Sequence, residues 1–387
     1  MNALPAWQRC LRQTPVWLSG LACSFAAVAT PASPAAFSAQ EQRQIHALGP
    51  WPPPPRVDPS NRVSGKPLAI RLGRQLFRDP RMSPVGYIGC VTCHQPDRAF
   101  TDHKARAHGL ADLPRNTPML FNLSQQRWFG WAGASDSLWM ASIRPILDER
   151  ELGGNARLVV QLFEREPELA ACYRQVFQVS PTAAPQRTLV NVGKAMAAYL
   201  ETLVSGRTPF DDFRDALLRG DRAAAAAYPM AAQRGLKLFV GDAGCSGCHS
   251  GPNFSDGDFH AGAVSAHDAG RLDDLKRLKA SPLTLAGPHN DAPRRQPTLA
   301  AGTPANRADP RHQFRTPSLR NVAASGPYLH DGRAELLQEA VRHASPHGAG
   351  GSLSDGEVQD LVAFLATLTD RHGERRPWVA DELARCP

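Results

Sequence analysis

Long apolar runs are scarce in this 387-residue chain. The stretch from Val16 to Ala29 stands alone, and it is shorter than the ~20 residues that cross a bilayer. Arg9 and Arg12 precede it, no acid occurs before Glu41, and small residues follow around Ala35 to Ala39. That order is the order of a secretory leader. An uncleaved anchor is the other reading of this stretch, and Gly20 stands where a lipid-anchor signal at Cys23 would want a leucine. The expectation is a mature chain in the periplasm that does not span a membrane. A large charge excess is also missing: formal net charge is +8, and Arg9 and Arg12 would leave with the leader. So small and scattered an excess argues against nucleic acid as a partner. No segment alternates apolar and polar residues convincingly enough to call a strand, which points away from a sheet-based fold.

What is present is cysteine in pairs. Of eight cysteines, Cys10 and Cys23 fall in the leader, and four belong to two C-x-x-C-H motifs. These are Cys90, Cys93 and His94 in "GCVTCHQP", and Cys245, Cys248 and His249 in "GCSGCHSG". In C-x-x-C-H the two thiols add across the haem vinyl groups, and the adjacent histidine is thereby placed under the iron as its axial ligand. A zinc site needs more ligands at close spacing than either motif supplies. Two covalently bound haem c groups are therefore expected, with His94 and His249 as axial ligands. Cys172 and Cys386 remain, as a disulfide or as two free thiols.

The chain divides around these motifs into a leader (1–39), a Pro-rich segment (40–66) whose stretch "GPWPPPPRVDPSNRVSGKP" should be extended, a first haem domain (67–222), a second (223–372) and a tail (373–387). "LAIRLGRQLFRDP" before the first motif and "MAAQRGLKLFVGD" before the second follow one plan, the mark of an internal duplication. "ARLVVQLFEREPELAACYRQVF" and "RTLVNVGKAMAAYLETLVSG" carry apolar residues at helical spacing. Residues 250–315 read as a long loop region. A last helix should start at Ser354, capped by Glu357, and bury Val358, Leu361, Leu365 and Leu368. The expected fold is mostly α, two cytochrome c-like haem domains in tandem with long loops.

Between the motifs, residues 115–154 hold Trp128, Trp131, Trp139 and the acids Asp148, Glu149 and Glu151. Trp128 and Trp139 suit core packing. The succession C-x-x-C-H, AFTD, RNTP, W-x-G, P-x-x-x-x-x-E-[LM]-G, the second C-x-x-C-H and "FRTPSLRNVAASGPYLHDG", running from about Leu68 to Asp370, resembles the bacterial di-haem cytochrome c peroxidase family, which includes the MauG-like enzymes. The resemblance implies a peroxide site at the haem of His94 and an electron-transfer haem on His249. It puts Trp131 between the haems as a bridge and Glu151 at the catalytic distal glutamate. It implies hydrogen peroxide as substrate and a small cytochrome c or cupredoxin as electron donor. A MauG-like oxidase acting on a partner protein and a non-catalytic electron carrier are the rival readings, and a homodimer is open to all three.

The resemblance has gaps. Where many relatives read W-D-G-R this chain has W-A-G-A, with Ala132 and Ala134, and Ala141 takes the place of a common distal glutamine. The sixth ligand of the second haem, a methionine or tyrosine in the family, aligns with Ala344; no methionine follows Met230, and Tyr328 is the only tyrosine after Tyr228. His343 and His347 flank that gap as candidate ligands, with a surface position as the alternative. His108, seven residues before Arg115, is a candidate cap on the first iron, or a surface residue. Asn116, with Ser325 and Pro327, matches the positions through which some relatives hold Ca2+.

Overall fold

A computed structural model describes residues 37–261, 268, 270–293, 311–344 and 352–370. Helix α1 (Ala39–Ala47) is followed by α2 (Pro67–Arg78), the one-turn α3 (Cys90–Cys93), α4 (Leu138–Leu147), α5 (Ala156–Arg165), α6 (Pro167–Phe177) and α7 (Pro185–Leu200). The second half holds α8 (Pro209–Arg219), α9 (Arg222–Ala226), α10 (Met230–Val240), α11 (Arg271–Ala280), α12 (Leu337–Ala344) and α13 (Asp355–Ala366). Two strands, β1 (Phe259–Ala261) and β2 (Gln313–Arg315), pair antiparallel with Phe259 opposite Arg315. The chain is mostly helical, as the spacing of its apolar residues predicts. Among the described residues no helix is long and apolar enough to cross a membrane.

The duplication read from the sequence is physical. Helix α2 crosses α7, and α10 crosses α13. At each crossing a glycine backs onto a carbonyl: a Cβ on Gly73 would lie 1.9 Å from Ala195 O, and one on Gly235 would lie 1.9 Å from Asp360 O. Only a residue without a side chain allows so close an approach. A second repeated device holds the chain that leaves each crossing. Asn122 and Asn321 both sit in the left-handed region. Asn122 accepts from Ser205 N (2.9 Å) and donates its own amide to Leu203 O (2.7 Å); Asn321 does the same with Asp370 N (2.9 Å) and Leu368 O (2.9 Å).

Two hydrophobic cores follow. The first joins Leu72, Phe77, Phe100, Trp139, Val192 and Tyr199, and the second joins Phe210, Phe239, Phe254, Leu361 and Phe364. Helix α13 carries the expected capping box of Ser354 and Glu357 and buries Val358, Leu361 and Leu365, with Leu368 buried just beyond it. Trp128 and Trp139 are core residues: Trp139 is fully buried and donates its indole N–H to Ser60 Oγ, and Trp128 packs edge-on against Phe259.

The structure departs from the expected organisation in four places. The segment before the first domain is not simply extended: α1 is a capped helix whose Ile45 enters the second core, and Trp51 is buried, donating to Ser205 O with the Arg320 guanidinium 3.8 Å from its ring. Helix α8, inside the expected first domain, packs Phe210 and Phe213 into the second core. An amphipathic stripe reports that a face is buried, not which core buries it. The run from Ala156 to Phe177 is broken at Pro167, which opens a new helix because it has no N–H to continue the old one. Strands β1 and β2 interrupt the expected loop region; three residues are too few to show an alternation.

Candidate functional site

Helix α3 is a single turn that presents Cys90 and Cys93 and ends on His94; a shorter 3-10 turn, Cys245–Gly247, does the same for Cys248 and His249. Both histidines are held alike. His94 Nδ1 donates to Phe100 O and His249 Nδ1 to Phe254 O, each at 3.0 Å. Burial pushes both imidazoles below their ordinary pKa, so each is neutral and keeps the lone pair on Nε2. A neutral ring oriented through its Nδ1–H is the form that ligates a metal. The donor set fits haem iron at both motifs.

A cavity of about 390 Å³ opens over the first motif, lined among others by Cys90, His94, Trp131, Glu151 and Arg315. Glu151 lies within the turn (149–152) that follows α4, and burial raises its carboxyl above the ordinary range, against the opposing charge of Arg144. The loop after the first motif is hydrogen-bonded onto that turn through Leu110 N to Glu151 O and Ala111 N to Arg150 O, both 3.0 Å. The expected pair of Glu151 and Trp131 thus shares one cavity with the first motif.

Trp131 joins the two halves. Its indole N–H donates to Asn116 O at 2.8 Å, and its carbonyl accepts from Arg315 N, in β2, also at 2.8 Å. Strand β2 pairs with β1, which follows the second motif by ten residues. Arg115 reinforces the join with a two-pronged contact to Asp268 (2.8 and 2.9 Å) and a third bond to Asp274 (2.8 Å) at the start of α11.

His108 lies outside this cavity. Its exposed imidazole is tied to Asp112 Oδ1 at 2.6 Å, the surface position that the sequence left open beside the cap. His343 is exposed near the end of α12, and His347 lies outside the described residues. Asn116 donates its amide N–H to His330 O and its side-chain N–H to Lys104 O, both at 2.8 Å. Ser325 Oγ donates to Val322 O, and Pro327 follows a cis bond. Cys172 is disulfide-bonded, and Cys386 lies outside the described residues.

Sequence reasoning missed Arg115, Arg315 and His330. His330 stacks on Phe314 at 3.9 Å, beside the buried Arg315. The signal was there: T-P-x-L-x-N recurs at 117–122 and 316–321, so Trp131 and His330 stand at the same place in the two halves.

Comparison with known proteins agrees with this geometry. A family model described as di-haem cytochrome c peroxidase matches residues 67–222. The methylamine utilization protein MauG of Methylorubrum extorquens is 34% identical over 361 residues, 89% of each chain. The chain belongs to the di-haem cytochrome c peroxidase family. Cytochrome c551 peroxidase of Pseudomonas aeruginosa is 31% identical over 315 residues, 80% of this chain and 82% of its own. Among solved structures, a MauG-like protein associated with microbial copper homeostasis superposes with a TM-score of 0.63 at 26% identity, covering 87% of this chain and all of that one. The di-haem peroxidase BthA of Burkholderia thailandensis shares the fold, with a TM-score of 0.62 at 23% identity over 82% of this chain and 89% of its own. Membership of a di-haem oxidoreductase family implies two haem c groups, and Cys90, Cys93 and His94, with Cys245, Cys248 and His249, are the residues fitted to hold them.

Proposed function

We propose that this protein is a periplasmic peroxidase that reduces hydrogen peroxide to water with electrons from a small cytochrome c or cupredoxin. The observation that carries the reading is Glu151: a carboxyl raised by burial, in the same cavity as His94 and Trp131. The haems would supply one-electron chemistry and a binding place for peroxide. The chain's own part is proton handling and a link between the halves. Glu151 takes the proton from the nearer peroxide oxygen and returns it to the leaving one, a task suited to a carboxyl whose pKa burial has raised. Trp131, bonded to Asn116 on one side and Arg315 on the other, would serve as the bridge for electrons between the two haem sites. A distal carboxyl serves no purpose in a simple carrier.

Ala344, at the place of the family's sixth ligand, favours a second reading: a MauG-like oxidase that uses peroxide to oxidise a partner protein. The two separate in one assay. Rapid peroxide-dependent oxidation of a reduced small cytochrome supports the peroxidase; slow turnover of that donor, with oxidation of a protein partner, replaces it with the second reading. Calcium held through Asn116 and the Ser325–Pro327 segment belongs to either reading, and chelation followed by activity recovery on adding Ca2+ tests it.

A further inference from the structure

A second cavity, of about 240 Å³, adjoins the haem cavity, and the two share Leu123, Gln126, Phe129 and Leu138 as lining. Gln126 is the polar member of that shared wall. The rest of the second cavity is mostly apolar, with three acids set into its wall, Asp58, Asp136 and Glu201, and with exposed Pro59 and Arg127 beside them. Three oxygens around it are buried without a hydrogen-bond partner: Gln126 Oε1, Asp136 Oδ1 and Glu201 Oε1. Each acid is pinned by its other oxygen, Glu201 Oε2 accepting from Ser64 Oγ (2.5 Å) and Asp136 Oδ2 from Leu285 N (2.9 Å).

A buried acceptor left unmatched keeps its full desolvation cost. Three of them in one cavity are satisfied together if the carboxyls carry protons or if water donates to them. Burial lifts the Glu201 carboxyl to about 7, helped by the charge of Asp58, and burial also raises Asp136. The charged groups facing Glu201 in this cavity are Asp58 from the segment before α2, Arg127 from the loop before α4, and Asp136 at the foot of α4; the lining residues of segment 285–292, Leu285 and Ala292, carry no charge.

We infer that this cavity is a proton-delivery antechamber, in which Glu201 takes protons from solvent and passes them, by way of Asp136 and water oriented on Gln126, to the cavity of Glu151. The inference rests on peroxide reduction as proposed above. Each peroxide reduced breaks one O–O bond and forms two O–H bonds, consuming two electrons from the donor and two protons from solvent. Glu151 shuttles a proton from one oxygen to the other but does not create the two that must enter. Glu201 is therefore a relay residue, acting on the reacting atoms only through Glu151.

The test uses the holoprotein and its Glu201→Gln variant, which keeps a partner for Ser64. Haem-reduction infrared difference spectra of the wild type should show a carboxylic C=O band that shifts in D2O and titrates near pH 7, and the variant should lose it. Peroxide-dependent donor oxidation in the variant should fall on the order of tenfold to a hundredfold, with the inflection near pH 7 gone and a larger solvent isotope effect. Gln126→Leu should give the same kinetic defect while keeping the Glu201 band, which covers the case of a Glu201 variant that folds poorly. A wild type without that band, or variants that keep their rates within about twofold and their pH profile, would overturn the relay. A wild type with the band but without peroxide turnover would instead remove the peroxidase reading and leave proton uptake at Glu201 standing.

Discussion

Glu151→Gln preserves the length and volume of the side chain and removes its ability to take and return a proton. The carboxyl lies in the haem cavity, and burial raises its pKa, with Asp148 adding to the effect and Arg144 and Arg150 opposing it. A positioned general acid–base group contributes ~10²–10⁴-fold in rate, about 2.7–5.4 kcal/mol of barrier at 1.36 kcal/mol per decade. The substitution should lower kcat and kcat/KM by that factor and erase the acid limb of the pH profile, where the wild type loses activity as Glu151 protonates. Stability should move the other way. A carboxyl raised in the fold is protonated there at pH values where the unfolded chain has already released its proton, so rising pH favours unfolding between the two pKa values. Glutamine carries no such penalty, and the variant should unfold at the same or a higher temperature than the wild type at neutral pH. Stopped-flow oxidation of a reduced donor, paired with thermal unfolding across pH 5–8 and haem absorption spectra, reads all of this. Retained turnover would refute the role of Glu151 in proton transfer. Lost turnover with a lowered melting temperature or altered haem spectra would show that the residue is structural.

Trp131→Phe removes the indole N–H to Asn116 O, at a net cost of about 0.5–1.5 kcal/mol, and should slow electron exchange between the haems; unchanged exchange after flash reduction of one haem would take Trp131 off the path. Gly73→Ala and Gly235→Ala each force a methyl into a carbonyl and should destabilise by about 1–3 kcal/mol or more, the first disturbing the midpoint potential of the N-terminal haem and the second that of the C-terminal haem, as read by spectroelectrochemistry. Because His108 is tied to Asp112 outside the cavity, the ferric protein as isolated should show a high-spin haem by electron paramagnetic resonance. A spectrum of two low-spin haems that turns high-spin only on half-reduction would mean that His108, or another residue, caps the first iron at rest.

Much of the site was legible because its chemistry is local. Cys90, Cys93 and His94 must be neighbours in sequence to bind one haem, and α13 announces itself by a capping box and an apolar stripe of about three turns. Glu151 and Trp131 were placed by their motifs, and the structure puts both in one cavity. For His108 the cap and the surface position both stayed open, because a histidine on a polar loop carries no sequence signal that tells an inward from an outward rotamer. The outward one is fixed here by Asp112, four residues away, at 2.6 Å.

What the sequence determined by itself was whatever depends on covalent spacing: two haem attachment turns, a duplicated helical plan, and glycines at the two crossings. What only the tertiary structure decided was which distant surfaces meet. Helices α1 and α8 joined the second core, Arg115 reached Asp268 and Asp274, and Glu201 and Gln126 came to line one cavity beside the haem site. Apolar periodicity records that a face is buried and a lone acid records only a charge. The partner of each is set by packing and by the hydrogen bonds that buried polar atoms must find, which are non-local and leave no mark in the spacing of residues along the chain.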